Sequence, residues 1–190
     1  MTHTWLPPVD YVATLPRATA YSCLYFTDTA GRPLQLRATR GEDVWQWPGG
    51  NMDPGETPWE TAVRECREET GLVFTGEPRL LGTHFVGDRG ADWPANHIGF
   101  IFDGGELTDE QIASLVLDPE EHTAYALHTV EEWRREMHPG EFARLAAVDR
   151  ARRTGAPVHL ETAPAGARPA PGPPPEDGRR AGTRNPFPSQ

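Results

Sequence analysis

Residues 50–72 read GNMDPGETPWETAVRECREETGL, a stretch that predicts three carboxylates on one face of a short helix behind a loop rich in glycine and proline. Thr57, Pro58 and Glu60 mark the helix start. Thr57 serves as N-cap, Pro58 takes the first helical position where a missing N–H costs nothing, and Glu60 closes a capping box. Gly71 supplies the stop, because the residue past a helix end favours a left-handed backbone. Trp59, Ala62, Val63, Cys66 and Thr70 recur at three- and four-residue spacing, which predicts a stripe facing a core. Glu65, Glu68 and Glu69 fall at i, i+3 and i+4 on a neighbouring face, expected to look toward solvent. Like charges at that spacing destabilise a helix by about 0.2–0.5 kcal/mol per pair unless a cation lies among them. Three hard oxygen donors suit Mg²⁺ or Mn²⁺ better than Zn²⁺. A solvated acidic face is the alternative reading of a glutamate run.

The stretch resembles the Nudix box: a glycine, five residues, a glutamate, seven residues, then R-E-U-x-E-E-x-G-U with U apolar. Gly50, Glu56, Arg64, Glu65, Cys66, Glu68, Glu69, Gly71 and Leu72 occupy those positions, with Cys66 standing where a branched aliphatic is more usual. A merely solvated face would not call for Gly50, Glu56 and Arg64 as well. The resemblance implies an α/β Nudix fold, an α/β/α sandwich around a mixed β-sheet, covering about residues 15–150. It further implies metal-assisted hydrolysis of a phosphoanhydride in a nucleoside diphosphate linked to another group, with Mg²⁺ or Mn²⁺ as cofactor. By position, Glu65, Glu68 and Glu69 match the family's metal-binding glutamates, the Gly50 carbonyl matches a backbone ligand, and Glu65 and Glu69 fall among the catalytic carboxylates. Arg64 matches the arginine that pairs with the first box glutamate, here Glu56, and so orients loop against helix.

Outside the box, Asp118, Glu120 and Glu121 in LDPEEHTAY form an acidic cluster ahead of an expected strand, placed like the extra glutamate of some relatives. Glu121 is the candidate for an outer metal ligand or general base, against the alternative of a solvated loop charge. His84, His97, His122 and His128 each titrate near neutrality in principle and receive no role from sequence. Trp45, Trp47, Phe85 and Trp93 are the aromatic candidates for holding a substrate ring, with core packing expected for at least one of the alternating pair Trp45 and Trp47. Asn96 and His97 are candidates for reading polar edges.

Composition narrows the chemistry. All eighteen basic residues are arginine, which removes P-loop phosphate binding and Schiff-base chemistry, since both need an ammonium or amine. A formal charge of −10 argues against duplex nucleic acid as the main partner, because phosphate neutralisation dominates that affinity. A small nucleotide escorted by a divalent cation stays compatible, and a homodimer is left open. Cys23 and Cys66 read as two buried thiols, MTHTWLPPVDY lacks the pattern of a signal peptide, and no stretch approaches membrane-spanning length. The expectation is a cytoplasmic protein with no membrane contact.

Along the chain, strands are expected over 18–27, 34–40, 44–48, 97–104 and 123–130, and helices over 108–117, 130–137 and 141–153. Residues 1–154 are expected to form the domain. From residue 155 onward the composition turns to Pro, Ala, Gly and Arg, too poor in apolar surface to offset chain ordering, and 155–190 is expected to be a disordered tail.

Substrate class is less constrained. The proline that marks the ADP-ribose subgroup downstream of the box is replaced by Gly87, and the NADH subgroup's aromatic-proline motif is missing. LQLRATRGEDVWQWPGG resembles the coenzyme A subgroup's upstream pattern only in part. A nucleoside triphosphate or related nucleotide derivative is favoured. The competing reading is a non-catalytic nucleotide sensor, which the full set of box glutamates and the lack of a basic helix-turn-helix disfavour. For an RNA-processing enzyme, the acidic balance is unsuited to long RNA.

Overall fold

The computed structural model describes residues 5–41 and 44–163. In chain order they form α1 (Pro8–Ala13), β1 (Ala18–Asp28), β2 (Leu34–Ala38), β3 (Trp45–Gln46), β4 (Gly49–Asn51), α2 (Pro58–Thr70), β5 (Leu80–Val86), β6 (Asn96–Leu107), α3 (Asp109–Ala113), β7 (His122–Leu127), α4 (Val130–Glu136), α5 (Pro139–Thr154) and β8 (Val158–Thr162). Five strands make a mixed sheet in the order β4-β1-β6-β5-β8, and three make an antiparallel sheet in the order β3-β2-β7.

Strand β1 shows why helices cover both faces. Its residues 22–28 are buried without a break and 23–26 are all apolar, so side chains of both parities need burial. Cys23 and Tyr25 enter a cluster with Trp47, Trp133, Leu145 and Val148 beneath α4 and α5. Leu24 and Phe26 enter the opposite cluster with Ala62, Cys66 and Leu72 beneath α2. The result is the expected α/β/α sandwich. Both cysteines are buried free thiols. Among the described residues no helix is long and apolar enough to cross a membrane.

Several boundaries move from the expected ones. Pro48 divides the strand expected over 44–48 into β3 and, beyond it, β4. The helix expected over 108–117 stops at Ala113, because the chain leaves it to strap the end of α2: the Val116 N–H donates to the Thr70 carbonyl at 3.0 Å and the Asp118 N–H to the Glu69 carbonyl at 3.2 Å. The N-terminal helix α1, with every residue exposed, was not expected.

The larger correction concerns the domain end. Residues 158–162, assigned from composition to the disordered tail, form β8 and pair parallel with β5 from Gly82↔Val158 to Val86↔Thr162. Val158 and Leu160 pack against the α5-side core. With only two apolar residues between Pro157 and Ala163, the alternation is too short to stand out. The domain therefore continues at least to Thr162. The remainder of the expected tail, from residue 164, lies outside the described residues.

Candidate active site

Helix α2 is built as its sequence dictates. The Thr57 side chain accepts from the Glu60 N–H while the Glu60 carboxylate accepts from the Thr57 N–H, and Gly71 closes the helix at φ 72° with its N–H on the Arg67 carbonyl. Thr61, Ala62, Cys66 and Thr70 are buried on the sheet side. This fixes the rotation of the helix and aims the glutamates at the β4 loop.

Arg64 is the hub of that face. Its Nε donates to Glu56 Oε1 at 2.7 Å and its Nη2 to Glu56 Oε2 at 2.9 Å, a bidentate clamp between helix and loop. The same Nη2 donates to the Asn51 carbonyl at 3.2 Å, and Nη1 reaches Glu65 and Glu68, each at 2.9 Å. Hydrogen bonds from Arg64, then from the Asp53 N–H, hold the Glu56 carboxyl down at about 2. Glu60 spends its carboxylate on Thr57 and is not a partner of Arg64.

The three box glutamates occupy three environments. Glu68 is 57% exposed and Glu65 14%, whereas Glu69 is 3% exposed, so the expectation that Glu69 faces solvent is overturned. The Cys66–Thr70 stripe and the Glu69 position lie close enough around the helix that both meet the body of the protein. Glu69 Oε2 accepts the Gly49 N–H at 2.7 Å, and Oε1 lies 2.9 Å from His122 Nε2. That second contact places the buried imidazole at ion-pair distance from the carboxylate. Burial raises the carboxyl pKa of Glu65 and of Glu69. For His122 burial acts downward, but Glu69, Glu121 and the Arg37 backbone together outweigh it and the net shift is upward.

Glu69, Glu121 and His122 present ligand atoms within 4.8 Å of one another, the one such triad among the described residues. Glu121 is exposed, and its charge is felt at Glu65. The structure thus brings Glu121 to Glu69, while Glu65 and Glu68 meet on Arg64. His122 is the residue that sequence reasoning left without a role, and the available signal was its place next to Glu121. Gly50 lies against Glu65 so closely that a Cβ there would fall on the carboxylate. This donor set fits a divalent cation: hard oxygens converge, and the single Arg64 guanidinium is shared among Glu56, Glu65 and Glu68.

The aromatic candidates separate. Trp47 is core, 4% exposed, and Trp45 packs edge-on to Trp133 at 5.1 Å between ring centroids. Trp93 lies 4.9 Å from His97, ring to ring, and donates its Nε1–H to Thr19. Phe85 is half-buried on β5, and Asn96 accepts the Asp88 N–H.

A NUDIX domain model matches residues 16–148, and the chain belongs to that family. It is similar to the asymmetrical bis(5'-nucleosyl)-tetraphosphatase of Mus musculus, 54% identical over 39 residues that cover 20% of this chain and 26% of the relative. It is also similar to the RNA pyrophosphohydrolase of Halorhodospira halophila, 52% identical over 42 residues covering 22% and 23%. The matched stretch thus spans about a quarter of these relatives. A crystal structure of a MutT protein from Methanosarcina mazei Go1 superposes with a TM-score of 0.57 at 23% identity, covering 74% of this chain and 96% of that one. That likeness is one of fold.

Proposed function

We propose that this chain is a metal-dependent pyrophosphohydrolase that cleaves a phosphoanhydride in a nucleoside diphosphate linked to another group, a nucleoside triphosphate or related nucleotide derivative. The observation that carries the reading is the meeting of Glu69 with Glu121 and His122 directly beside the Arg64-clamped loop. Such a concentration of negative charge repels a diphosphate unless cations bridge the two. Glu65, Glu68, Glu69 and the Gly50 carbonyl would hold Mg²⁺ or Mn²⁺, which when bound neutralises phosphate charge and lowers the pKa of an attacking water.

The chain's own residues supply the rest. Arg64 fixes the Gly50 loop through Glu56 and Asn51, so the loop backbone stays in place when the anionic substrate arrives. Glu69 is committed to Gly49 and His122, whereas Glu121 is exposed and adjacent. Glu121 is therefore assigned the general base: it takes a proton from water as the water oxygen bonds to phosphorus and the P–O bond to the leaving phosphate breaks.

A panel of nucleoside triphosphates, dinucleoside polyphosphates and nucleotide sugars, incubated with Mg²⁺ and with products identified by mass, tests the reading. Release of a nucleotide and a phosphate or pyrophosphate, abolished by chelation, is the expected result. Tight nucleotide binding without turnover of any member would replace the enzyme with a sensor.

A further inference from the structure

The five-stranded sheet ends on β8, and among the described residues no strand pairs with its outer edge. Strand β8 runs along β5 without a bulge, in parallel register from Gly82↔Val158 to Val86↔Thr162. The Gly87 N–H donates to the Thr162 carbonyl at 2.9 Å, so Thr162 turns its carbonyl toward β5. Alternate residues of a strand turn their backbone groups to the same neighbour, and Val158 and Leu160 therefore do as Thr162 does. The N–H and C=O groups of His159 and Glu161 point outward.

An edge of unpaired backbone groups is a template for another strand, and natural edges are blunted by proline, charge or bulges. Neither outward position of β8 is proline, and the one acid there, Glu161, has an imidazole two residues away to match it. His159 Nε2 lies 3.1 Å from Glu161 Oε1, while His159 Nδ1 meets the Thr83 hydroxyl at 2.9 Å. On the opposite, α5 face, Val158 and Leu160 are only half-buried, so apolar surface lies open beside the free backbone.

We propose that the outer edge of β8 pairs antiparallel with β8 of a second copy of this chain, about a two-fold axis at Leu160. In that register the run Val158-His159-Leu160-Glu161-Thr162 is complementary to itself. His159 of each copy falls opposite Glu161 of the other, an imidazole donor against a carboxylate, with Cβ atoms about 5 Å apart. Both residues have outward backbone groups, so each such pair exchanges both of its main-chain hydrogen bonds. Leu160 meets Leu160 on the α5 face and covers the apolar surface left open there. The neighbouring registers fail. An axis at Glu161 sets carboxylate against carboxylate, and an axis at His159 sets Glu161 opposite Pro157, which has no N–H to give. The contact is isologous and closes on itself, joining the two sheets and leaving neither copy with that edge free. A five-residue strand makes a small interface, so the dimer is expected to exchange with monomer at micromolar concentration.

Sedimentation equilibrium of the full chain over a range of concentrations, together with hydrogen exchange at the His159 and Glu161 amides, tests this. The wild-type chain is expected to dimerise, with both amides slowing as the dimer fills. His159→Glu sets like charges opposite each other and is expected to weaken the dimer about tenfold or more, and adding Glu161→Arg is expected to restore it. Glu161→Pro removes only an outward N–H, which an edge strand tolerates, and is expected to abolish the dimer while the thermal midpoint of the dilute chain holds. A chain that stays monomeric at every concentration overturns the proposal. So does a dimer indifferent to both His159→Glu and Glu161→Pro, which would use another surface. Slow His159 and Glu161 amides in the monomer would mean that the chain's own residues beyond 163 cover the edge, and overturn it as well.

Discussion

The Glu69 carboxylate accepts the Gly49 N–H at 2.7 Å, so the most buried acid of α2 is also the one that ties the helix to the β4 loop. Because burial raises its pKa, the folded chain holds the Glu69 charge less readily than the unfolded chain does. Glu69→Gln keeps an acceptor for Gly49 and removes that charge. Turnover is expected to fall about 10²-fold or more, while the thermal midpoint of the metal-free protein stays level or rises. A steep fall in the midpoint, read by calorimetry, would contradict this account.

Arg64 serves Glu56, Glu65, Glu68 and the Asn51 carbonyl together. A lysine preserves the charge but lacks the planar fork. Arg64→Lys is therefore expected to lower kcat/KM about tenfold or more by loosening the loop against the helix. Wild-type kinetics in this variant would reduce the clamp to a surface ion pair.

Glu121→Gln should lower kcat by about 10²-fold while affinity changes little. Glu120, exposed and bonded through its backbone N–H to Asp118, is the control, and Glu120→Gln should be nearly silent. Small, equal effects from both substitutions would return this segment to a solvated loop.

His84 is buried between two hydroxyls, and burial pushes its pKa down from 6.5 to about 4. The unfolded chain takes up a proton as pH falls through 6.5, whereas the folded chain resists until about 4. Stability is thus expected to decline across that window as pH drops, and to level off below it. In His84→Gln the urea midpoint should lose this part of its pH dependence. An unchanged slope would mean that other groups carry it.

A chain ending at residue 155 is expected to melt about 4–8 °C below one ending at residue 163, a loss of about 2 kcal/mol from the half-buried Val158 and Leu160. The comparison isolates β8. Equal midpoints would show that the strand contributes nothing to the sheet.

Much of this was legible where local rules and tertiary need coincide. Thr57, Glu60 and Gly71 fixed α2 because caps are local chemistry, and the Glu56–Arg64 pair followed from the resemblance of the box. The burial of Glu69 was not legible, since it depends on His122 arriving from β7, and periodicity within one helix says nothing of what packs against it. Strand β8 itself was concealed by composition, its two apolar residues lying among prolines and alanines.

That strand also sets the order of assembly. Gly82 pairs with Val158, and Thr162 reaches His84 only through this late contact. During synthesis from the N-terminus, the glutamate helix and strands β1 and β6 emerge well before residue 158, so the acidic cluster can take shape before the sheet edge closes. The bond between His84 and Thr162 is thus among the last to form, with the closing of the sheet edge.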